Sequence, residues 1–433
     1  MRYNRFLGNI LASALEKEAE SDKYDILLNN IFKAERLGKR DRIWVSDRFF
    51  FYLRHKLFFD EISENTEVLA KNIAMVFEDE ADETLAEKIE MLQKNGTYDQ
   101  LFGESFPEFL VNEIKKLNDQ EVFSWFNSKA KTHLRTNLTK ISRVELSEKL
   151  ENEDFTNSPA PLSPAGIILE PTNRSLKNSE LFEKGFFEFQ DESSQLTSLL
   201  VSKNTKTLLE PCAGGGGKSL SIASFFKNIE ITASDSRTYL FKEIKERSDR
   251  AGAKIKTTPF DAIDTQFDTV FIDSPCSGSG VIRRNPGDRW KIDEKTLSDL
   301  NSLQKELIRK FSGKVKKGGE LIYVTCSFLK CENEEIIKDF LNENKDFSLI
   351  PAKERLLENL VNEELLSEIT DGDFLKIKPK HERDLMFGAV LIRHSLTYSL
   401  YRYPVIPNKK KLLNLFPKFL KYNVFYLSRR RNS

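Results

Sequence analysis

The chain has 433 residues, more than a single hydrophobic core usually serves, so two or three domains are expected. Lysine plus arginine and aspartate plus glutamate number 67 each, and this balance gives no chain-wide signal for binding a polyanion. There is no signal-peptide core and no apolar run of about 18 residues, which predicts a soluble cytoplasmic protein without membrane association. The four cysteines form no CxxC pair, so no metal site is predicted.

The first part of the chain has a helical pattern. Residues 1–132 carry apolar positions three and four apart, as in Phe49 and Leu53, and few strand signals. We expect an all-helical domain of about five to seven helices there. Residues 133–190 include the proline-rich stretch 157–164, which cannot lie inside a helix, and they are predicted to form a small α+β connector.

Residues 191–395 alternate short β-rich runs with helical stretches. This alternation predicts an α/β catalytic domain with a parallel sheet, right-handed crossovers and ligands bound at the carboxyl ends of the strands. The apolar run 386–394 is expected to close the sheet. Residues 396–433 form a basic, aromatic tail without an acidic residue, which could either contact RNA or pack on the catalytic domain.

A glycine-rich loop follows the predicted strand 207–210 and precedes a helix. Its glycines would let the backbone approach a nucleotide-like ligand closely. A phosphate-binding loop remains an alternative, since a glycine-lysine-serine triplet ends the segment, but Cys212 occupies the first glycine position of that motif. A dinucleotide-binding loop and a turn without ligand also stay open. The candidate cofactor-binding residues here are Cys212, Ala213, Gly214, Gly215, Gly216, Gly217 and Lys218.

Two aspartates lie in register with this loop. Asp235 ends the second strand, where a carboxylate can accept hydrogen bonds from ribose hydroxyls. Asp261 follows the third strand, where it could meet an adenine amino group. Either residue alone would more often be a helix cap or a turn residue. Combined with the glycine loop, they favour an adenosine-containing cofactor that brings no phosphate to bind.

Two cysteines follow neighbouring strands. Cys276 comes three residues after Asp273 at the end of the fourth strand, and Cys326 ends the fifth, so both thiols should reach one crevice. Carbon 5 of cytosine is a poor nucleophile that becomes reactive when a thiolate adds to carbon 6. Such chemistry needs a cysteine, an acid near ring nitrogen 3, for which Asp273 is the candidate, and a group that assists release. The alternative is two small buried side chains.

A basic cluster follows the Cys276 loop. It lies where phosphates that flank a target base would pass, and we predict that it contacts RNA, with a plain solvated loop as the alternative. Its members are Arg283, Arg284, Arg289 and Lys291.

These motifs resemble the RsmB-type RNA 5-methylcytosine methyltransferases, relatives of the Nop2/Sun enzymes. Residues 210–219 match the family's glycine loop, although Glu210 replaces an aspartate, and Gly214 and Gly215 replace alanine and proline. The family's PCSG and TCS motifs, its RRNP motif with a later tryptophan, and its acidic-amide triplet are also present. They lie at residues 275–278, 325–327, 283–286 and 332–334.

The resemblance implies a Rossmann-like class I methyltransferase domain with a mostly parallel seven-stranded sheet, preceded by a NusB-like helical domain that binds RNA. It implies that the loop holds S-adenosylmethionine, with Asp235 on ribose, Asp261 on adenine and Asp273 near the methyl group and the target base. Residues 212–218 supply the loop contacts. It further implies that Cys326 is the nucleophile and that Cys276 assists release, an order that the residues alone do not give.

The expected activity is methylation of cytosine carbon 5 in small-subunit ribosomal RNA by a monomeric enzyme. A tRNA cytosine methyltransferase and a non-catalytic RNA-binding assembly protein on the same scaffold are the alternatives.

Overall fold

The computed structural model describes residues 4–21, 23–172, 174–359, 364–379 and 382–395. The predicted basic tail, 396–433, lies outside the described residues. Within the described part of the chain, no helix is both long enough and apolar enough to cross a membrane.

Helices fill the N-terminal region. Over the described residues from Arg5 to Asn127 there are nine α-helices rather than five to seven, because turns such as the one at His55 interrupt the apolar pattern without a proline or glycine to mark them. Asn65 and Asp82 cap two of the helices by accepting a hydrogen bond from a backbone N–H of the first turn. The helices are α1 Arg5–Glu16, α2 Tyr24–Ala34, α3 Lys39–Arg54, α4 Lys56–Ile62, α5 Thr66–Phe77, α6 Glu83–Lys94, α7 Tyr98–Phe102, α8 Glu108–Lys115 and α9 Val122–Asn127.

A four-stranded antiparallel sheet follows the helices. Its strands are β1 Thr132–Thr136, β2 Asn157–Pro159, β3 Gly166–Leu169 and β4 Phe187–Phe189, in the order β2-β3-β1-β4. The helices α10 Arg143–Asn152 and α11 Glu180–Glu183 accompany it, and α10 begins with a capping box between Ser142 and Glu145. Leu134, Leu146 and Phe187 are fully buried in its core.

The remaining strands form one mixed sheet. Five of them run parallel, and β13 lies antiparallel to β9. The order is β11-β12-β13-β9-β8-β5-β6-β7, with β10 also paired to β13. The strands are β5 Thr207–Glu210, β6 Glu230–Ala233, β7 Ile255–Thr257, β8 Phe267–Asp273, β9 Val315–Thr325, β10 Phe347–Ile350, β11 Thr370–Asp371, β12 Phe374–Lys376 and β13 Phe387–Arg393.

Six helices accompany this sheet: α12 Glu192–Ser198, α13 Gly217–Phe225, α14 Phe241–Ala251, α15 Glu294–Ser312, α16 Glu334–Glu343 and α17 Ala352–Asn359. The sheet has nine strands instead of the expected seven, because the short hairpin β11–β12 pairs with β13 beside β10. The run 386–394 therefore does not lie at an edge. From β5 the chain adds β6 and β7 on one side of the sheet and then crosses to add β8 and β9 on the other side. In such folds ligands bind at the carboxyl ends of the strands where this change of side occurs.

The basic cluster after the Cys276 loop lies between the helical region and the mixed sheet. Arg289 is fully buried; its guanidinium donates hydrogen bonds to the carbonyl oxygens of Arg54 and Ser105, and to Asn127 Oδ1 at 2.8 Å. It also stacks on Phe106, with 3.8 Å between Cζ and the ring centroid. These contacts fix the helical region to the segment that follows the Cys276 loop.

Arg283 is buried as well. Its guanidinium pairs with Glu382 at 2.9 Å and lies over the ring of Trp125. The expectation that Arg283 and Arg289 contact RNA is therefore wrong, because both guanidinium groups are turned into the interior. Arg284 and Lys291 keep about a third of their side chains exposed, 29% and 34%, and their contact with RNA stays a prediction.

Replacement of Arg289 by methionine tests this correction. We expect Arg289→Met to lower the free energy of unfolding by about 3 kcal/mol, because the carbonyl groups that Arg289 satisfies would stay buried without a donor. Urea unfolding followed by circular dichroism measures the change. Arg309→Met is the matched control, since Arg309 forms an exposed ion pair with Glu343, and it should cost under about 1 kcal/mol. Equal, small effects of both variants would contradict the structural role of Arg289.

Candidate active site

The glycine loop connects β5 to α13. Gly214 and Gly216 have positive φ angles of 53° and 77°, a backbone conformation that favours glycine. A Cβ atom on Gly216 would lie 3.2 Å from Ile244, whereas the nearest atoms to a Cβ on Gly214 or Gly217 lie 3.9 Å away. Gly216 thus permits close packing of the loop on α14, and Gly214 and Gly217 leave backbone open to a ligand.

A cleft of about 1000 Å³ lies against this loop. Most of the predicted cofactor-binding residues line it, namely Cys212, Ala213, Gly214, Gly215, Gly217, Lys218 and Asp273. Gly216 packs on Ile244 instead, and Asp261 lies on the exposed turn Phe260–Ala262, outside the residues that line the cleft. The cleft also takes in residues from the helical region and the small sheet, including Asp25, Lys177 and Phe189.

Asp235 is buried directly behind the loop. One carboxylate oxygen accepts a hydrogen bond of 2.8 Å from the backbone N–H of Gly214, and both oxygens accept hydrogen bonds from Arg237. Burial by itself would raise the pKa of Asp235, but the hydrogen bonds from Arg237 and Gly214 lower it, so the carboxylate is charged. Arg237 lines the cleft with a largely exposed side chain, and sequence reasoning missed it, since no motif distinguishes it from other surface arginines.

A buried ion pair joins the loop to the fourth strand of the parallel set. Lys218 Nζ lies 3.1 Å from Asp273 Oδ2, and the lysine side chain is only 8% exposed. Burial would lower the pKa of Lys218, but the charge of Asp273 and its hydrogen bond raise it. The ammonium group is thus committed to a carboxylate, which disfavours the alternative of a phosphate-binding loop, where this lysine would face the ligand.

The two cysteine thiols meet. Cys276 Sγ lies 3.4 Å from Cys326 Sγ, as expected from the parallel pairing of β8 with β9. The contact with Cys326 and burial raise the pKa of the Cys276 thiol well above its ordinary value. Asp273, which lines the cleft, precedes Cys276 by three residues. In the sequence, the thiol pair therefore lies next to a residue that lines the cleft.

The loops that carry the thiols are bonded to each other. The backbone N–H of Gly280 donates to the carbonyl oxygen of Cys326 at 2.9 Å, and the hydroxyls of Ser279 and Ser327 lie 2.9 Å apart. A Cβ atom on Gly280 would come within 2.2 Å of the Leu385 carbonyl oxygen, so only glycine allows this approach. The Ser/Gly composition of the loops serves this close contact.

Arg284 is held by two carboxylates at the rim of the cleft. It donates hydrogen bonds to Asp191 at 2.7 Å and Asp384 at 2.5 Å, and to the carbonyl oxygen of Lys131. Burial and the neighbouring charge of Asp191 raise the pKa of Asp384 to about 7. Arg284 thus connects three segments that are distant in sequence, whatever its contact with RNA.

Comparison with known families finds two matching regions in the chain. Residues 197–392 match the family model for the 16S rRNA methyltransferase RsmB/F, and residues 106–174 match the model for the ferredoxin-like domain of RsmF/B-like methyltransferases. Over these residues the chain is similar to the RsmB/F methyltransferases. The ferredoxin-like match begins at residue 106, so it includes α8 and α9, which the sequence-based division assigns to the helical domain. The NusB-like character of the helical domain stays a prediction.

Individual relatives match part of their length. A probable ribosomal RNA small subunit methyltransferase B from Bacillus subtilis is 33% identical over 261 residues, covering 58% of this chain and 57% of that protein. Ribosomal RNA small subunit methyltransferase B from Photorhabdus laumondii is 31% identical over 279 residues, covering 62% and 64%. The matched region therefore spans less than two thirds of either relative.

Solved structures share the fold. The crystal structure of PH0851 has a TM-score of 0.72 at 20% identity and covers 91% of this chain and 100% of that chain. NSun6 from Pyrococcus horikoshii has a TM-score of 0.56 at 20% identity and covers 68% and 100%. At these identities the likeness concerns the Rossmann-like architecture alone.

Glu210 departs from the RsmB/F family pattern, which has an aspartate at this position of the loop. It is fully buried and accepts a hydrogen bond from the Ser219 hydroxyl. Burial raises the pKa of Glu210 to about 8, with a smaller contribution from the charge of Asp273. In the folded protein this side chain therefore keeps its proton at neutral pH.

The pH dependence of stability tests the burial of Glu210. An unfolded chain releases this proton near its ordinary pKa of 4.5, while the folded protein keeps it to about pH 8, so the folded state loses stability as the pH rises through that window. The loss is on the order of 1 kcal/mol per pH unit. Glu210→Gln, which retains an acceptor for Ser219, should match the unaltered protein below pH 4.5 and exceed its melting temperature increasingly up to about pH 8.

The matched control is Glu230→Gln, because Glu230 is exposed on the neighbouring strand β6. It should follow the unaltered protein across the whole range. A Glu210→Gln profile that is parallel to that of the unaltered protein would contradict the raised pKa of Glu210.

Proposed function

We propose that this protein transfers a methyl group from S-adenosylmethionine to carbon 5 of a cytosine in RNA through a covalent cysteine adduct. The observation that carries the proposal is the 3.4 Å separation of the Cys276 and Cys326 sulfurs, with Cys276 in the loop that follows Asp273, a residue that lines the cleft of the glycine loop. The match of residues 197–392 to the RsmB/F family model supports it, and the names of the relatives favour small-subunit ribosomal RNA as the substrate.

The cleft fits an adenosyl cofactor. Its volume of about 1000 Å³ is at the upper end of small-ligand sites, and the open backbone at Gly214 and Gly217 allows close approach. The loop residues that line the cleft, 212–215, 217 and 218, would hold the group, with Arg237 at the rim and the buried carboxylate of Asp235 fixing the backbone of Gly214 from behind. When bound there, S-adenosylmethionine supplies the electrophilic methyl group. Asp261 retains only the sequence-based prediction of an adenine contact.

The chain's own residues account for the covalent steps. The Cys326 thiolate bonds to carbon 6 of the ring, the carbon 5–carbon 6 double bond opens, and Asp273 shares a proton at nitrogen 3 as charge develops there. Once carbon 5 carries the methyl group, its proton leaves to Cys276 while Cys276 gives its own proton to the departing Cys326 sulfur. The double bond forms again, the carbon–sulfur bond breaks, and Cys326 returns its proton to solvent.

Two alternatives remain distinct from this proposal. A tRNA substrate would use the same residues, so only the choice of RNA in an assay separates it. A non-catalytic assembly protein on the same scaffold has no need for two thiols in contact with each other, and the pairing of Cys276 with Cys326 argues for chemistry.

Cysteine variants test the covalent route. With RNA and S-adenosylmethionine, we expect Cys276→Ala to accumulate a protein–RNA adduct that survives denaturing electrophoresis, because release of Cys326 is impaired. Cys326→Ala should form no adduct and lose methylation by at least about a thousandfold, since the attacking group is gone. Cys331→Ala is the matched control, because Cys331 lies on the turn Lys330–Glu332 and takes no part in the proposed steps.

The opposite pattern, with an adduct in Cys326→Ala alone, would exchange the two roles. Methylation that persists in both variants without any adduct would contradict the covalent route.

A further inference from the structure

The two thiols are close together but have different surroundings. Glu332 is fully buried on the turn that follows the Cys326 loop. Its carboxylate accepts hydrogen bonds from the backbone N–H of Ser277 at 2.8 Å, from the Ser277 hydroxyl at 2.6 Å and from Gln304 Nε2 at 3.0 Å. Gln304 Nε2 also donates to the carbonyl oxygen of Pro275. The residues on both sides of Cys276 are thus bound to one buried carboxylate or its partner.

The next residue along the chain, Asn333, binds the Cys326 loop through a neutral side chain. Asn333 Oδ1 accepts a hydrogen bond of 2.6 Å from the Thr325 hydroxyl, and Asn333 Nδ2 donates to the carbonyl oxygen of Ser327 at 2.9 Å. These are the residues on either side of Cys326. Two adjacent side chains therefore hold the two cysteine loops. The carboxylate of Glu332 binds the Cys276 loop, and the amide of Asn333 binds the Cys326 loop.

The cation of the site lies on the Cys326 side. The pKa of Lys218 is lowered by burial but raised more strongly by Asp273 and then by Cys326. The groups that raise the pKa of Cys276 are, after Cys326 itself and burial, the carboxylate of Glu332. The phenol of Tyr323 donates a hydrogen bond of 2.8 Å to the carbonyl oxygen of Glu332, and burial raises the pKa of that phenol. The carboxylate of Glu332 thus acts on the Cys276 thiol, and the ammonium group of Lys218 interacts with Cys326.

We propose that Glu332 is the positioning residue that makes the two thiols unequal: its buried carboxylate fixes the Cys276 loop and places a negative charge on the Cys276 side of the thiol pair. The catalytic meaning of this assignment rests on the proposed function. It supplies a physical reason for the division of roles, since a neutral Cys276 retains the proton that the departing sulfur needs.

Thiol alkylation measures the charge effect without RNA or cofactor. The full chain is treated briefly with iodoacetamide at pH values from about 6 to 10, and each cysteine is quantified by peptide mass spectrometry. In Glu332→Gln, which keeps an acceptor for Ser277, the alkylation rate of Cys276 at mildly alkaline pH should rise roughly tenfold, corresponding to a downward shift of about one pH unit in its profile. The rate for Cys326 should stay within about twofold.

Two further variants separate charge from shape. Glu332→Asp keeps the charge and should restore a slow reaction at Cys276. Glu335→Gln is the matched control, because Glu335 is an exposed residue three positions further on, and it should leave both profiles unchanged. An unchanged Cys276 profile in Glu332→Gln would overturn the proposal, as would a parallel rise at all four cysteines, which indicates loosening of the fold.

Methylation assays on the same variants keep the two proposals distinguishable. If the function holds, Glu332→Gln should lower kcat at least about tenfold with KM for RNA within about threefold, because the thiol chemistry is affected and RNA binding is not. A shifted Cys276 profile in a protein that never methylates RNA would retain the charge effect and refute the proposed function. Methylation of RNA together with an unshifted Cys276 alkylation profile would support the proposed function and refute the charge effect of Glu332.

Discussion

The pairing of β8 with β9 is the constraint on which the candidate site depends. Asp273 lies opposite Val324 in this parallel pair, and the backbone N–H of Ser274 continues the ladder by donating to the Val324 carbonyl oxygen. Because side chains alternate between the faces of a strand, a shift of one residue would reverse every side chain of the strand and separate the sulfurs. The register of two central strands therefore fixes the chemistry of the loops that follow them.

Polar contacts between the loops fix the positions of the site residues beyond the ends of the strands. Lys218 ties the glycine loop to Asp273, and Glu332 and Asn333 bind the two cysteine loops from behind. A buried ion pair is costly to desolvate and contributes little net stability, so its value here lies in fixed geometry. The same cleft receives residues from the helices and the small sheet, and the buried guanidinium of Arg289 binds the helical region to the segment that follows the Cys276 loop.

Regular features of this site could be predicted from sequence because they are local. The strands 207–210 and 268–273, the glycine loop and the meeting of two strand-end cysteines follow from pattern and from the rules of parallel sheets. The strand count failed since β11 and β12 have two and three residues, too few for any periodicity to show. Short breaks between the N-terminal helices were missed for the same reason.

Contacts between distant residues could not be predicted. A run of arginines predicts an RNA surface equally well whether the guanidinium groups face solvent or, as for Arg283 and Arg289, the interior. Arg237 is linked through Asp235 to Gly214, which lies 23 positions away in the sequence. Glu332 binds directly to Ser277, which lies 55 positions away. No pattern within one segment of the chain encodes such pairs.

The central claim is that the Cys276 and Cys326 thiols lie in contact with each other, and disulfide trapping tests it most directly. The four cysteines fall on four different tryptic peptides, with Cys276 on 257–283 and Cys326 on 318–330. Brief oxidation of the folded full chain with copper phenanthroline should link these two peptides in a bond that dithiothreitol reverses. Recovery of both peptides unlinked, or linked instead to those of Cys212 or Cys331, would contradict the account.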